Sequence, residues 1–160
     1  MNQNFIELGL EDVIVQAVDQ LGFEKPSPVQ EKCIPIVLSE ETDLVALAQT
    51  GTGKTASFGL PLIQKIDNDN RKTQALVLAP TRELCIQIAA DLNDFARFKK
   101  TNVVAVYGGA SITDQAKKLK RGAQVIVATP GRLQDMINRR LVDLSHIDYL
   151  VLDEADEMLN

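Results

Sequence analysis

Residues 43–55 read DLVALAQTGTGKT. Five apolar positions, Leu44 to Ala48, run into a loop holding Gly51 and Gly53, and a segment of helical period follows. A short continuous apolar run bounded by a glycine turn is the pattern of a strand buried on both faces. Four more such runs occur: QALVLA (74–79), NVVAVY (102–107), AQVIVA (123–128) and IDYLVL (147–152). Segments of helical spacing lie between them. Leu84, Ile88, Leu92 and Phe95 share one helix face, and Ile112, Ala116 and Leu119 share another. Strand–helix alternation over one domain length predicts an α/β fold, a mainly parallel sheet with flanking helices. The polar spacer DNDNRK (67–72) reads as a surface loop.

Ahead of the first run, Leu10, Val13, Ile14, Ala17, Val18 and Leu21 mark a helix that stops at Gly22. The segment FEKPSPVQ (23–30) follows, where two prolines restrict the backbone. A second helix is expected from about Pro28, and Pro35 is expected to kink or interrupt it. The chain thus divides into an N-terminal helical region, 1–38, and an α/β core, 39–160. Periodicity alone leaves the N-terminal region as a flap over a sheet edge.

With 160 residues, 45% of them hydrophobic and 24% charged, the chain has material for one domain with a hydrophobic core. The net charge of -5 argues weakly against a nucleic-acid binder. Two stretches, RFKKTN and KKLKRG, nonetheless concentrate Arg97, Lys99, Lys100, Lys117, Lys118, Lys120 and Arg121. These read either as solvated helix ends or as a local footprint for a polyanion. Cys33 and Cys85 sit in apolar runs without metal-ligand spacing and read as buried reduced thiols. His146 is the sole histidine, which argues against a histidine-rich zinc site or a histidine triad. The first residues lack a signal-peptide pattern and no run reaches membrane-spanning length. The expected setting is reducing, soluble and cytoplasmic, with no membrane partner.

AQTGTGKT (48–55) fits the phosphate-loop pattern, with Gly53, Lys54 and Thr55 at the defining positions. Gly51 and Gly53 allow a tight loop with inward-facing N–H groups, and the following helix adds its positive end. The candidate nucleotide-binding residues are Gln49, Thr50, Gly51, Thr52, Gly53, Lys54 and Thr55. Lys54 is suited to the β- and γ-phosphates and Thr55 to Mg²⁺. Kinases, GTPases and ATPases all use such a loop.

YLVLDEAD (149–156) is an apolar strand opening onto acids. Asp153 is suited to hold Mg²⁺, directly or through water. Glu154 is suited to accept a proton from water attacking a γ-phosphate. Asp156 reads as an orienting group or a helix cap.

Taken together these motifs resemble those of the DEAD-box RNA helicases. Asp153, Glu154, Ala155 and Asp156 match the name motif, and Ala48 to Thr55 match the phosphate loop. Phe5 followed by GFEKPSPVQ resembles the adenine-reading motif, with Ser27 where threonine is usual. PTREL (80–84), the pair Gly108–Gly109 and TPGR (129–132) resemble RNA-contacting motifs in family order, with Cys85 where alanine is common. The resemblance covers essentially the whole chain. It implies a RecA-like P-loop NTPase domain, C-terminally truncated after the DEAD motif, whose second RecA-like domain would act in cis and supply arginines.

By the same resemblance Gln30 reads the adenine edge and Phe23 packs on the base, while Phe5 braces the motif or is plain core. Pro80, Thr81, Arg82, Gly108, Gly109, Thr129, Pro130, Gly131 and Arg132 lie near an RNA backbone, contacted without base preference. Arg82 is open to two partners, a phosphate or a neighbouring carboxylate. Glu154, Lys54 and Asp153 carry catalysis with ATP and Mg²⁺. The implied activity is ATP-dependent RNA unwinding by the whole protein. Two other readings stand beside it: a non-catalytic nucleotide- and RNA-binding or protein-docking module, and a DNA helicase or other ATP-driven remodeller.

Overall fold

A β-strand has no hydrogen bonds of its own, so an apolar run becomes a strand only where a neighbour pairs with it. In the computed structural model, which describes residues 1–40, 42–49 and 51–159, four of the five runs find neighbours. The elements are α1 (Gln3–Ile6), α2 (Asp12–Gln20), α3 (Pro28–Ser39), α4 (Lys54–Lys65), β1 (Ala75–Leu78) and α5 (Arg82–Phe95). They continue with β2 (Val103–Val106), α6 (Ile112–Lys120), β3 (Val125–Ala128), α7 (Pro130–Asn138), β4 (Tyr149–Leu152) and α8 (Ala155–Met158). The strands form one all-parallel sheet of order β2-β3-β1-β4.

The fifth run corrects the sequence reading. Residues 43–48 are not a strand, and Val45 and Leu47 stand 89% and 97% exposed. No strand among the described residues pairs with the segment, so its apolar side chains have no sheet to be buried in. Pro35 does not interrupt α3, which runs through it from Pro28 to Ser39. Pro35 cannot donate to the carbonyl of Glu31, but both residues are exposed and water can take that bond.

The chain forms two compact units, residues 1–66 with 91–100, and residues 67–90 with 101–160. The first is helical. α2 ends in a Schellman motif: Phe23 N–H donates to the Val18 carbonyl at 3.2 Å and Gly22 N–H to that of Asp19 at 3.1 Å. α3 opens on a capping box between Ser27 and Gln30. α4 buries most of its length, including Ala56, Leu60 and Ile63. A side chain on Gly59 would meet Leu92 and Phe95 at 2.7 and 2.9 Å. Lys99, one of the clustered cations, caps the far end of α4, donating to the carbonyls of Ile63, Gln64 and Ile66 at 2.6–2.7 Å. A cation at a helix C-terminus satisfies orphan carbonyls and complements the dipole.

The second unit holds the sheet. Leu76, Val104, Val106, Ile126 and Ala128 form one core cluster with Leu133 and Met136 of α7, against which Ile112 and Leu119 of α6 pack. Ala75, Val77, Val125 and Val127, of the opposite side-chain parity, are equally buried, which explains the continuous apolar runs. The 67–72 segment is a loop as expected, but an anchored one. Buried Gln74 donates to the carbonyls of Asp67 and Asn70, both at 2.9 Å, and buried Gln124 to those of Asn68 and Asn70.

Both cysteines are free and buried, as expected. Burial pushes the Cys85 thiol up to about 11 and raises that of Cys33 as well. Alkylation by iodoacetamide at pH 8 should therefore leave native Cys85 unmodified and label it fully in denaturant, which peptide mass spectrometry would read. Gly59→Leu should destabilise the fold by about 1–3 kcal/mol through overpacking against Leu92 and Phe95, measured by urea denaturation.

Candidate functional site

In the helical unit the phosphate-loop segment leads directly into α4. Gly51 and Gly53 take φ of 85° and 81°, a region open to glycine at little cost. Gly53 is the N-cap of α4, and Lys54 and Thr55 are its first two residues, both half-buried. The orphan N–H groups and positive dipole end of a 12-residue helix thus lie beside the lysine. Thr52 Oγ1 donates to the Gln49 carbonyl at 2.6 Å and closes the turn. Thr50 lies outside the described residues.

The Gln30 side chain reaches this loop. Its Nε2 donates to the Gly53 carbonyl at 3.1 Å, and its Oε1 accepts from Ser27 N–H at 3.0 Å. A Cβ on Gly53 would sit 2.3 Å from that Nε2, so a side chain there would displace the glutamine amide in addition to straining the backbone. A primary amide has two donors and two acceptor lone pairs. These two contacts leave Gln30 one of each, the pair that an adenine edge needs. Phe23 is half-buried, its ring 6.1 Å from that of fully buried Phe5. Asn2 Nδ2 donates to the carbonyls of Phe23 and Glu24 at 3.0 and 2.8 Å. The N-terminal segment therefore braces Phe23 from behind, through a residue, Asn2, that carried no motif.

In the sheet unit, Leu78, Ala128 and Val106 are level in register, and Leu152 is level with Leu78. The segments after all four strands consequently open at one sheet edge: Pro80–Arg82, Gly108–Gly109, Thr129–Arg132 and Asp153. Thr81 Oγ1 accepts from Leu84 N–H at 3.2 Å and caps α5. Pro130 is the first residue of α7 behind the N-cap Thr129, and Gly131 is exposed. Asp153 is 4% exposed at the end of β4, its N–H donating to the Leu78 carbonyl at 3.0 Å. Glu154, half-buried, takes φ 52° and ψ 51°, a left-handed conformation costly for a side-chain-bearing residue. Asp156 is exposed in the first turn of the short α8.

A residue without a sequence signal ties two of these segments together. Gln115 is 5% exposed on α6. Its Oε1 accepts from Arg132 Nη1 at 3.1 Å and from Tyr107 N–H at 3.3 Å, while its Nε2 donates to the Tyr107 carbonyl at 3.0 Å. Arg132 Nη1 donates in addition to the Ala110 carbonyl at 3.0 Å. The Arg82 guanidinium carbon lies 5.3 Å from the Tyr107 ring centroid, and no carboxylate among the described residues pairs with it. Glutamine inside a helical period gives no hint of such a role, because only the fold brings its partners together.

Among the described residues no three His, Cys, Asp or Glu side chains gather as a metal cage. Thr55 in the helical unit offers a hydroxyl and Asp153 in the sheet unit a carboxylate, each a hard oxygen donor of the kind Mg²⁺ takes.

A glycine loop at a helix N-terminus, with strand-end acids and motif loops on a parallel sheet, defines a phosphate-loop NTPase domain of RecA-like fold. The family model DEAD/DEAH box helicase matches residues 27–160, and the chain belongs to that family. It is 54% identical over 98% of its length to the ATP-dependent RNA helicase CshA of Listeria monocytogenes, covering 30% of that protein. Among solved structures, a DEAD box protein from Methanococcus jannaschii superposes with TM-score 0.93 at 47% identity, over 98% of this chain and 43% of that one. A variant of S. cerevisiae Dbp5, bound to RNA and ADP BeF3, superposes with TM-score 0.87 at 35% identity, over 98% of this chain and 39% of that one. The chain thus spans about a third of the length of the curated relative it matches.

Gln115→Leu should cost about 1–3 kcal/mol, because it removes the partners of the part-buried N–H and C=O of Tyr107 and one of the two bonds of Arg132 Nη1. Thr113→Ala, on an exposed position of the same helix, should stay within about 0.5 kcal/mol. Denaturant midpoints of the two variants would check the contrast.

Proposed function

We propose that the whole protein is an ATP-dependent RNA helicase, an RNA-stimulated ATPase that couples hydrolysis to local opening of RNA duplexes. The observation that carries this reading is the set of motif loops at one sheet edge, tied through Gln115, in a chain about half identical to proteins named for that activity. Two neighbours contain ADP or ADP BeF3, and one of them RNA as well, which supports ATP as cofactor and RNA as partner. The relatives' greater length supports a second RecA-like domain in cis. Two buried unpaired thiols agree with a reducing cytoplasm, and no helix among the described residues is long and apolar enough to cross a membrane.

In this reading Gln49 to Thr55 surround the phosphates of ATP. Lys54 meets the β- and γ-phosphates as a point charge, and the N–H groups opening α4 take the remaining oxygens. Gln30 reads adenine with the donor and acceptor left free by Ser27 and Gly53, so base recognition and the phosphate loop share one side chain. Phe23 packs against the base. Thr55 and Asp153 would hold Mg²⁺, which when bound neutralises charge on the phosphates. Glu154 accepts the proton of the attacking water. Arg82, Arg132 and the N–H groups around Thr81, Gly109 and Thr129 meet RNA phosphates, and contacts of that kind carry no sequence information. RNA over DNA would be chosen through backbone shape and the 2′-hydroxyl.

The deciding test is ATP hydrolysis by the full-length protein with RNA, with DNA and with neither. Stimulation by RNA alone is expected; equal stimulation by DNA would favour the remodeller reading, and no turnover the binding-module reading. Lys54→Ala should abolish ATP binding. Glu154→Gln should keep nucleotide affinity within about twofold and lower kcat by about 10²-fold or more, the scale of a lost general base. Equilibrium binding and single-turnover hydrolysis would separate the two effects.

A further inference from the structure

Arg82 is placed where a cation is least comfortable. It is the first residue of α5, at the positive end of a 14-residue helix. It is exposed, and among the described residues it has no carboxylate or carbonyl partner to offset that position. What it has is a seat. The Tyr107 ring lies on one side, 5.3 Å from the guanidinium carbon, within the range of cation–π attraction. Gly109 lies close as well: a Cβ there would stand 2.8 Å from Arg82 Nη1. Gly109 also holds φ at 82°, a region open to glycine at little cost.

The seat itself is fixed. Tyr107 follows β2 directly, and Gln115 clamps its backbone from both directions, accepting from its N–H and donating to its carbonyl. The backbone that carries the ring is therefore held by a sheet edge and a buried amide. A guanidinium against an aromatic face keeps its N–H edge available for a planar, bidentate acceptor, and phosphate is such an acceptor.

We propose that Tyr107 is a positioning residue which, together with Gly109, holds the Arg82 guanidinium with its donors presented to a phosphate of the bound strand. The proposal rests on the RNA-binding reading above and extends it to a side chain outside the motif residues. Gly109 serves in it as space for Arg82, and Tyr107 acts through Arg82 without touching the strand.

The test uses the full-length protein, a labelled oligouridylate and a non-hydrolysable ATP analogue, with affinity measured across a salt series. Arg82→Gln should weaken binding by about tenfold, as expected for a lost charged hydrogen bond, and flatten the log–log salt slope by about 0.7. Tyr107→Leu should weaken binding roughly two- to fivefold, the scale of an exposed cation–π contact, with the slope moving in the same direction. Tyr107→Met is a second non-aromatic variant should the first fold poorly, and nucleotide affinity monitors folding in all of them. Tyr107→Phe, which keeps the ring, should restore parental binding. The double variant of Tyr107→Leu with Arg82→Gln should bind no more weakly than Arg82→Gln alone.

Parental affinity in both non-aromatic variants would overturn the proposal, as would Tyr107→Phe falling as far as Tyr107→Leu, or fully additive losses in the double variant. Parental affinity in Arg82→Gln would also overturn it while leaving the helicase reading intact. A parent protein that does not bind RNA would instead remove the reading beneath it.

Discussion

The level register of four parallel strands is the constraint from which the sheet unit's candidate chemistry follows. A parallel ladder returns every connection over a face of the sheet, so each strand leaves at the same edge. Pairing Leu78 with Ala128 and Leu152, and Ala128 with Val106, puts four exits at one height. Polar residues placed just past those exits then become neighbours without any further device. Slipping one strand by one residue would turn its side chains to the opposite face and lower its exit. With Val77, Val125, Val127 and Ile126 of both faces all at 0% exposure, such a slip would exchange apolar for apolar, so the register rests on how these side chains interlock with their neighbours. The candidate edge is thus held by close packing some residues away from any polar group.

How much of this was legible in the sequence depended on whether the signal was local. The four paired strands lie within the predicted runs, but two-faced burial accounts only for the central β1 and β3; in β4 Leu150 and Leu152 stand 59% and 51% exposed, and β2 alternates buried with half-buried positions. The same logic failed for residues 43–48, whose composition fits a strand but whose pairing is decided by what lies alongside, a property no run carries. The capping box at Ser27 and Gln30 and the stop at Gly22 could be anticipated from residue types, since caps and αL turns are satisfied within a few residues. Gln74, Gln115 and Gln124 could not. Gln115 sits among polar helix residues and Gln74 and Gln124 near the heads of apolar runs, yet each is at most 5% exposed and answers backbone groups elsewhere in its unit. Lys99 misled in the opposite direction: in a cluster of cations it suggested a polyanion, whereas it ends α4.

Asp153 and Glu154 divide two burdens between adjacent positions. Asp153 is nearly buried, its backbone continuing the ladder of β4 onto β1. A carboxylate so enclosed gains from whatever compensates its charge, and the loss of that compensation would be felt by the strand. Glu154 pays in backbone conformation, breaking the strand's direction so that α8 can start at once. An αL turn at a non-glycine residue right after a buried strand keeps the second carboxylate from following the strand's alternation. The acid pair therefore gains its distinct environments from one dihedral, and a glycine at 154 would relax the strain while removing the group for which the turn is useful.

An acidic chain that meets a polyanion must do so through local fields, and the sheet edge supplies them with few charges. Only Arg82 and Arg132 among the motif residues there carry positive charge; the remaining donors are N–H groups at the starts of α5 and α7, whose partial charges are fixed by the backbone. Each arginine is then stripped of freedom by a different means, Arg132 by hydrogen bonds to Gln115 and Ala110, Arg82 by a ring and a glycine. Arg132 has spent donors on the protein, whereas Arg82 has spent none, so the two are not equivalent contacts. Arg132 braces the turn 107–110 through Gln115 and Ala110, and Arg82 rests against Tyr107 of that same turn.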